Sequence, residues 1–214
     1  MKVLMVMAHP DDEIIFGWPI FQDKSIQKKL LICSSDANNP TRQWCKDRKR
    51  SLEEVCKLMD VEYQCLDYDS SFYKTQTRRP KGVPRTPSGD AQAPFRAMCD
   101  HISDKILEMQ VDCDRVFTHN PYGEYGHMDH RLLFDLVLKT TDKPVLITDM
   151  HLPSNWAKEY CLNNRIYDIY YKNKIKENLS LDKQNLNVIK ELYQKTNSWT
   201  WGRETPDTCS LFIL

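Results

Sequence analysis

Short strand-like segments alternate with longer helical segments along this chain. Apolar and β-branched residues dominate six short segments, at 2–7, 29–33, 61–66, 115–118, 145–148 and 165–171. Between them, apolar residues recur at the spacing of amphipathic helices over 41–59, 95–109, 132–137 and 181–193. A further helix is expected from Asp12, with an interruption at Pro19. This alternation predicts an α/β fold with a Rossmann-like, mostly parallel sheet that helices flank on both faces.

The chain has the length of one domain with one sizeable core, 214 residues. It shows no internal repeat and no linker, so we expect a single domain over residues 1–214. A polar stretch over 68–93 has neither a helical nor an alternating period and is expected to be a long loop. Its basic segment, Arg78 to Arg85, either grips an anionic group of a substrate or lies in solvent.

Composition limits which binding partners and which cellular location are expected. Lysine plus arginine equal aspartate plus glutamate at 30 each, which gives no electrostatic reason to expect nucleic acid or an anionic membrane as a partner. No apolar run approaches the ~18 residues of a membrane span, and the apolar start is too short for a secretory signal. The 8 cysteines lack metal-ligand spacing and suit buried, reduced thiols. We therefore expect a cytoplasmic protein.

Two clusters of polar residues follow two of the predicted strands directly. The first strand leads into His9, Asp11 and Asp12, and the strand at 115–118 leads through a glycine-containing loop to His127 and His130. If these strands are neighbours, the five side chains meet at the carboxyl edge of the sheet, where open α/β sheets bind ligands. Imidazole and carboxylate ligands without thiolate are typical of catalytic zinc sites, and a divalent cation makes adjacent carboxylates tolerable. The sequence therefore predicts a metal site at the C-terminal strand ends.

A simpler explanation of the same residues stays open at this point. Asp11, Asp12 and Glu13 are also what an acidic first turn of a helix looks like, because carboxylates are favourable at the positive end of the helix dipole. Asp12 alone would serve as an N-cap. His127 and His130 would then be exposed polar residues at the start of another helix.

The two motifs together carry a family resemblance. Residues 8–13, AHPDDE, and residues 126–131, GHMDHR, resemble the signatures of the LmbE/PIG-L family of zinc-dependent N-deacetylases, with Met128 in place of a proline. Members of that family remove the acetyl group from N-acetylglucosamine-type sugars. The match in motif order and strand placement covers about residues 1–140.

The resemblance implies a zinc ion, or ferrous iron in its place, held by His9, Asp12 and His130. It also implies that Asp11 is the general base, and that His127 stabilises the oxyanion and protonates the leaving amine. These residue types suit the chemistry, because zinc polarises a carbonyl and lowers the pKa of water towards ~7. An acid beside the ligands can accept the proton of the attacking water.

Residues around this centre are expected to orient it or to bind substrate. Asp129 matches the family's acid that orients the histidines. Arg48 matches its substrate-binding arginine, with Arg50 as the alternative register. Glu124 and Tyr125, on the loop of the second motif, are expected to contact the substrate.

Two departures from the family pattern lie near the expected sugar site and leave the identity of the substrate open. Residues 34–36 replace a segment that contains a glycine in the family, and Ser51 stands where a glutamate is usual. Near the C-terminus, Trp199 and Trp201 either stack on a sugar ring or cover the core.

We expect a zinc-dependent N-deacetylase whose substrate is a small N-acetylated sugar or sugar conjugate. One alternative is an amidase that acts on a non-sugar N-acyl compound. Another is a non-catalytic, metal-dependent carbohydrate-binding protein, in which Asp11 or His127 should be lost, and both are present. The neutral charge disfavours a nucleic-acid binder. The sequence leaves the oligomeric state open.

Overall fold

The computed structural model describes residues 1–35, 43–68, 92–151 and 174–214. The predicted strand at 165–171 and the basic segment from Arg78 to Arg85 lie outside these residues. Both therefore stay predictions.

The described residues form seven strands: β1 Lys2–Met7, β2 Gln27–Ser34, β3 Glu62–Tyr68, β4 Arg115–Thr118, β5 Val145–Thr148, β6 Lys174–Ser180 and β7 Thr208–Ile213. They make one sheet in the order β3-β2-β1-β4-β5-β7-β6. The first five strands pair in parallel, whereas β7 is antiparallel to both of its neighbours. The predicted α/β fold with a mostly parallel sheet is confirmed. The antiparallel pair at one edge was not predicted.

The helices of the described residues are α1 Asp12–Ile15, α2 Trp18–Phe21, α3 Gln43–Leu58, α4 Gln92–Met109, α5 Gly123–Gly126, α6 Met128–Thr140 and α7 Lys183–Lys195. The interruption predicted at Pro19 corresponds to the break between α1 and α2. Pro19 lies in the first turn of α2, where a helix needs no backbone N–H donor. Within the described ranges, no helix combines the length and the apolar character that crossing a membrane requires.

The side chains of β1 alternate between two apolar layers, as the pleat of a strand requires. Val3, Met5 and Met7 pack on one side of the sheet, under α3 and α7, and all three are 0% exposed. Leu4 and Val6 pack on the other side, under α4 and α6, and are equally buried. This central strand is covered on both faces, which explains its continuous apolar sequence.

The chain changes direction across the sheet between β1 and β4. From β1 it moves outward through β2 to β3, and later returns to β4 and β5 on the other side of β1. Such a switch point opens a crevice at the carboxyl ends of the two central strands. The loops that carry the two polar motifs follow β1 and β4. These two strands are neighbours, which is the condition under which the motifs were expected to meet.

Gly17 gives the fold a specific test. A Cβ atom at this position would lie 2.6 Å from Cε of Met5 and 2.8 Å from the backbone oxygen of Glu13. We expect Gly17→Ala to lower the free energy of unfolding by about 1–3 kcal/mol, because a methyl group must be forced into a packed core. Urea unfolding measures the change.

Gly202→Ala is the matched control, because nothing lies within 4 Å of a Cβ atom built there. Equal unfolding midpoints for the two variants would contradict the close packing of α1 and α2 on β1.

Candidate metal centre and active site

The turn after β1 folds the first motif into a compact loop. The backbone N–H of His9 donates to Oδ2 of Asp12 at 2.7 Å, and the N–H of Asp12 donates to the backbone oxygen of His9 at 3.2 Å. Asp11, between them, has a φ of 90°. A non-glycine residue in this left-handed region is strained by about 1–3 kcal/mol, and such residues cluster at functional sites.

Nitrogen atoms of three histidines surround one carboxylate oxygen. Oδ2 of Asp12 lies 3.1 Å from Nδ1 of His9, 3.3 Å from Nε2 of His130 and 3.5 Å from Nε2 of His119. All four side chains are buried. The burial of Asp12 disfavours its charge, but His130 and His9 outweigh this effect and hold the pKa of Asp12 well below its usual range. The centre is thus an anion surrounded by imidazole rings.

The hydrogen bonds of His119 leave neither of its ring nitrogens with a free lone pair for a metal ion. Its Nε2 atom accepts the backbone N–H of Ala8 at 3.0 Å, so the ring proton lies on Nδ1. Nδ1 then donates to Oε2 of Glu124 at 3.1 Å. His119 therefore supports the turn after β1 from the neighbouring strand.

His130 is arranged in the opposite way. Its Nδ1 atom donates to Oε2 of Glu124 at 2.6 Å, which leaves the lone pair of Nε2 directed into the centre. Nε2 is buried and has no hydrogen-bond partner of good geometry among the residues that the structure describes. An imidazole whose second nitrogen donates to a carboxylate is the usual form of a metal-binding histidine.

His9 is held by a carboxylate on each side. Nε2 lies 3.0 Å from Oδ2 of Asp129, and Nδ1 faces Asp12. Burial alone would lower the pKa of His9, but Asp12 and Asp129 outweigh it and raise the pKa to about 9. A metal ion at Nδ1 would have to displace a proton, so we expect metal affinity to fall as the pH falls.

The donor atoms fit a divalent ion. Among the residues that the structure describes, two overlapping trios have candidate ligand atoms within 4.8 Å of one another, namely His9, His127 and His130, and Asp12, His119 and His130. In the second trio, both nitrogen atoms of His119 are already engaged by Ala8 and Glu124. The predicted trio of His9, Asp12 and His130 takes one member from each and shares the third. The structure brings these three together, with the nitrogen atoms of both histidines facing Oδ2 of Asp12.

Asp11 lies apart from the histidines, in a polar environment of its own. It is 0% exposed; Oδ1 pairs with a guanidinium nitrogen of Arg48, and Oδ2 accepts from the Thr200 hydroxyl at 2.8 Å. Burial raises the pKa of Asp11, and Arg48 opposes that rise. Arg50, the alternative register, faces outward with a side chain that is 74% exposed. Of these two arginines, Arg48 is the one that reaches the site.

Glu13 completes the run of acids but faces away from the histidines. It accepts the backbone N–H of Asp11 at 2.9 Å and the hydroxyl of Tyr193 at 2.6 Å. Burial raises the pKa of Glu13 to about 8, although the Tyr193 hydrogen bond opposes this. Glu13 thus braces the strained turn, a role that was not expected from its position in the sequence.

The second motif places His127 and Asp129 at the start of α6. His127 is the residue before the helix, and its Nδ1 atom lies 3.9 Å from Oδ2 of Asp129. Its ring centre lies 5.0 Å from that of His9 and 4.4 Å from that of His130. The side chain keeps 17% of its surface exposed, so it borders the centre on the solvent side.

The two residues predicted to contact substrate have different environments. Glu124 is 2% exposed, and its two oxygens accept from His119, His130 and the backbone N–H of Asn120. The structure thus places Glu124 behind the histidine rings rather than at the solvent side, which differs from the predicted substrate contact. Tyr125 is 36% exposed, and its ring centre lies 5.6 Å from that of His127.

Aromatic side chains form a wall beside the centre. The ring of Trp201 lies 5.3 Å from those of Phe16 and Tyr125 and 4.8 Å from that of His151. Phe16 in turn lies 5.3 Å from His130. Trp201 therefore reaches the site from the C-terminal segment, whereas the sequence left its role open.

Fold and site together define an α/β protein with a candidate divalent-metal centre at the switch point of its sheet. The sequence profile of the PIG-L family, described as GlcNAc-PI de-N-acetylase, matches residues 4–141. The chain belongs to the PIG-L family. The family resemblance of the two motifs is thereby confirmed.

A viral protein and two solved structures are similar to this chain at low sequence identity. Uncharacterized protein L374 of Acanthamoeba polyphaga mimivirus is 24% identical over 150 residues, which are 62% of this chain and 56% of that protein. The zinc-inhibited form of teicoplanin deacetylase Orf2 aligns with a TM-score of 0.61 at 13% identity, over 100% of this chain and 97% of its own. GalB, the 4-carboxy-2-hydroxymuconate hydratase of Pseudomonas putida KT2440, aligns with a TM-score of 0.51 at 11% identity, over 100% and 95%. At these identities the two structures show a shared fold alone.

Metal analysis tests the centre. We expect the purified protein to bind about one divalent ion per chain, because one set of buried donor atoms converges. His9→Ala and His130→Ala each remove a donor and should lose most of the ion, as measured by elemental analysis after dialysis. His101→Ala, whose ring pairs with the Tyr68 hydroxyl away from the centre, is the control. Full retention in both site variants would show that the ligands are wrong.

Glu124→Gln tests whether Glu124 supports a metal-binding histidine or contacts the substrate. Glutamine keeps the shape but loses the charge that holds the Nδ1 protons of His119 and His130. Loss of such a partner typically weakens metal affinity about 10–100-fold, which competition with a chromophoric chelator measures. A raised KM with unchanged metal affinity would instead support the predicted substrate contact.

Proposed function

We propose that this protein is a metal-dependent hydrolase that removes the N-acetyl group from an N-acetylglucosamine-type sugar or sugar conjugate. The observation that carries the proposal is the separation of two adjacent acids. Asp12 faces His9 and His130, whereas Asp11 turns to Arg48 and Thr200. Membership of the PIG-L family and the fold of a teicoplanin deacetylase support this reaction class.

His9, Asp12 and His130 would hold the ion, which we propose to be zinc, with ferrous iron as the alternative. Bound there, a divalent ion supplies a Lewis acid that polarises the acetyl carbonyl and lowers the pKa of water towards ~7. Teicoplanin deacetylase Orf2 has a zinc-inhibited form, so acetate release should be measured with several divalent metals and also with excess zinc.

Asp11 is proposed to act as the general base. A carboxylate has about four lone-pair positions, of which the contacts with Arg48 and Thr200 use two. The others can accept a proton from the attacking water, and the positive charge of Arg48 opposes the rise in the pKa of Asp11 that burial causes. The water oxygen then bonds to the carbonyl carbon of the acetyl group and the C–N bond breaks. The products are acetate and the free amine.

His127 is proposed to face the acetyl oxygen as negative charge develops on it. Its position on the solvent side of the rings of His9 and His130 suits contact with a bound amide. A donor to such an oxygen typically contributes ~3 kcal/mol or somewhat more to the transition state. Protonated His127 can then give its proton to the departing amine, while Asp129 orients both His127 and His9.

Tyr125 and Trp201 support a sugar as the substrate, because aromatic faces beside a site offer apolar contact to the C–H groups of a sugar ring. A non-sugar N-acyl compound is the alternative, since the fold is shared with a hydratase and does not determine the reaction. Acetate release from a panel of N-acetylated sugars, nucleotide sugars and N-acetyl amino acids distinguishes these substrates. Release from the amino acids alone would favour the amidase.

Asp11→Asn and Asp12→Asn test the two roles against each other. The first keeps the shape of the side chain but removes the proton acceptor, so we expect normal metal content and hydrolysis at least ~100-fold slower. The second replaces a carboxylate ligand with a neutral amide and should weaken metal binding. Metal content and single-turnover acetate release measure both effects. If Asp11→Asn loses the metal while Asp12→Asn retains it, Asp11 is the ligand and Asp12 the base, and the proposed assignment is wrong.

A further inference from the structure

We propose that Thr200 is a positioning residue that fixes the carboxylate of Asp11, and that the active site is therefore completed by the C-terminal segment. This inference rests on the proposed function for its kinetic consequence. Thr200 lies outside residues 4–141, the part that the family profile matches. Its hydroxyl donates to Oδ2 of Asp11 at 2.8 Å across 189 positions of sequence.

The two contacts of Asp11 together determine the plane of its carboxylate. Arg48 pairs with Oδ1, and this contact alone leaves rotation about the last side-chain bond open. The hydroxyl of Thr200 holds the other oxygen and stops this rotation. Asp11 is 0% exposed, so within the fold bulk water cannot readily take over the hydrogen bond.

The segment around Thr200 is built to hold that hydroxyl in place. On one side, Ser198 donates to the backbone oxygen of Tyr193 through its N–H at 2.9 Å and its hydroxyl at 3.1 Å. On the other side, the ring of Trp201 packs against Phe16. Thr200 as a residue is exposed, yet its hydroxyl points inward between these two anchors.

The same segment touches the run of acids at a second point. Tyr193, at the end of α7, donates its hydroxyl to Glu13, which in turn accepts the backbone N–H of Asp11. The C-terminal part of the chain therefore holds both the backbone and the side chain of Asp11. A general base must be held within hydrogen-bond reach of the proton that it takes, so this support bears on the rate of the chemical step.

Thr200→Val and Thr200→Ser are the variants that test the inference. Valine keeps the volume without the hydroxyl, whereas serine keeps the hydroxyl without the methyl group. We expect valine to lower kcat about tenfold to a hundredfold, the usual consequence of losing a hydrogen bond to a charged group, with KM and metal content little changed. Serine should restore kcat. Thr208→Val, an exposed threonine at the start of β7, is the matched control and should behave as the wild type.

Crystal structures of the wild type and of Thr200→Val give a second measurement that needs no activity. We expect the Asp11 carboxylate to rotate in the variant while the metal ligands keep their positions. If valine prevents folding, Thr200→Ala replaces it in both measurements.

Three results would overturn the inference: wild-type kcat in the valine variant, a serine variant as slow as the valine one, or an unchanged Asp11 carboxylate. If the wild type releases no acetate from any compound of the panel, the proposed function fails. The orientation of Asp11 in the variant then decides the role of Thr200 by itself.

Discussion

Burial of three consecutive carboxylates at the end of β1 is the constraint on which the rest of the site depends. Removing a carboxylate from water costs several kcal/mol unless it is paired or neutralised. The structure meets this cost in three different ways. Asp12 is surrounded by imidazole rings, Asp11 pairs with Arg48, and Glu13 accepts from Tyr193 while burial raises its pKa to about 8. These partners come from α3, α6, α7 and the residue that follows β4, so elements that are distant in the sequence meet at the three acids.

The strained backbone around the centre follows from the same constraint. Asp11, Glu124 and His151 all have positive φ angles, between 54° and 90°, although none is a glycine. In a regular helix or strand, the three adjacent acids could not each reach a separate set of partners. Residues with positive φ let the chain turn sharply enough to direct adjacent side chains to different partners. Dense packing on β1 and β4 holds these strained residues in place.

Local features of the site could be predicted from the sequence, and distant ones could not. The spacings and the two strand ends predicted that the polar side chains of both motifs meet, because neighbouring parallel strands share a carboxyl edge. The choice of His9, Asp12 and His130 among them came from the family resemblance. Thr200 and Tyr193 reach the acids across 189 and 180 positions, and no periodicity predicts such contacts. Glu124 was assigned to the substrate because its loop position showed no sign of the histidines behind it. The antiparallel strands β6 and β7 lacked a clear alternation of apolar residues.

The division of the chain between matched and unmatched residues bears on specificity. Residues 4–141 contain both motifs, which supply the donor atoms and the proposed base. The same fold is shared with a hydratase, so the sheet and its switch point do not determine the reaction or the substrate. Trp201 and Thr200 lie beyond the matched region and border Tyr125 and Asp11. The candidate metal ligands lie in the matched part, whereas Thr200 and Trp201 contact the site from the other part. A change in the C-terminal segment can therefore alter the surroundings of Asp11 and Tyr125 without altering the candidate ligands. Under the proposed function, the substrate should therefore be sought by varying the group around the N-acetyl amide rather than the amide itself.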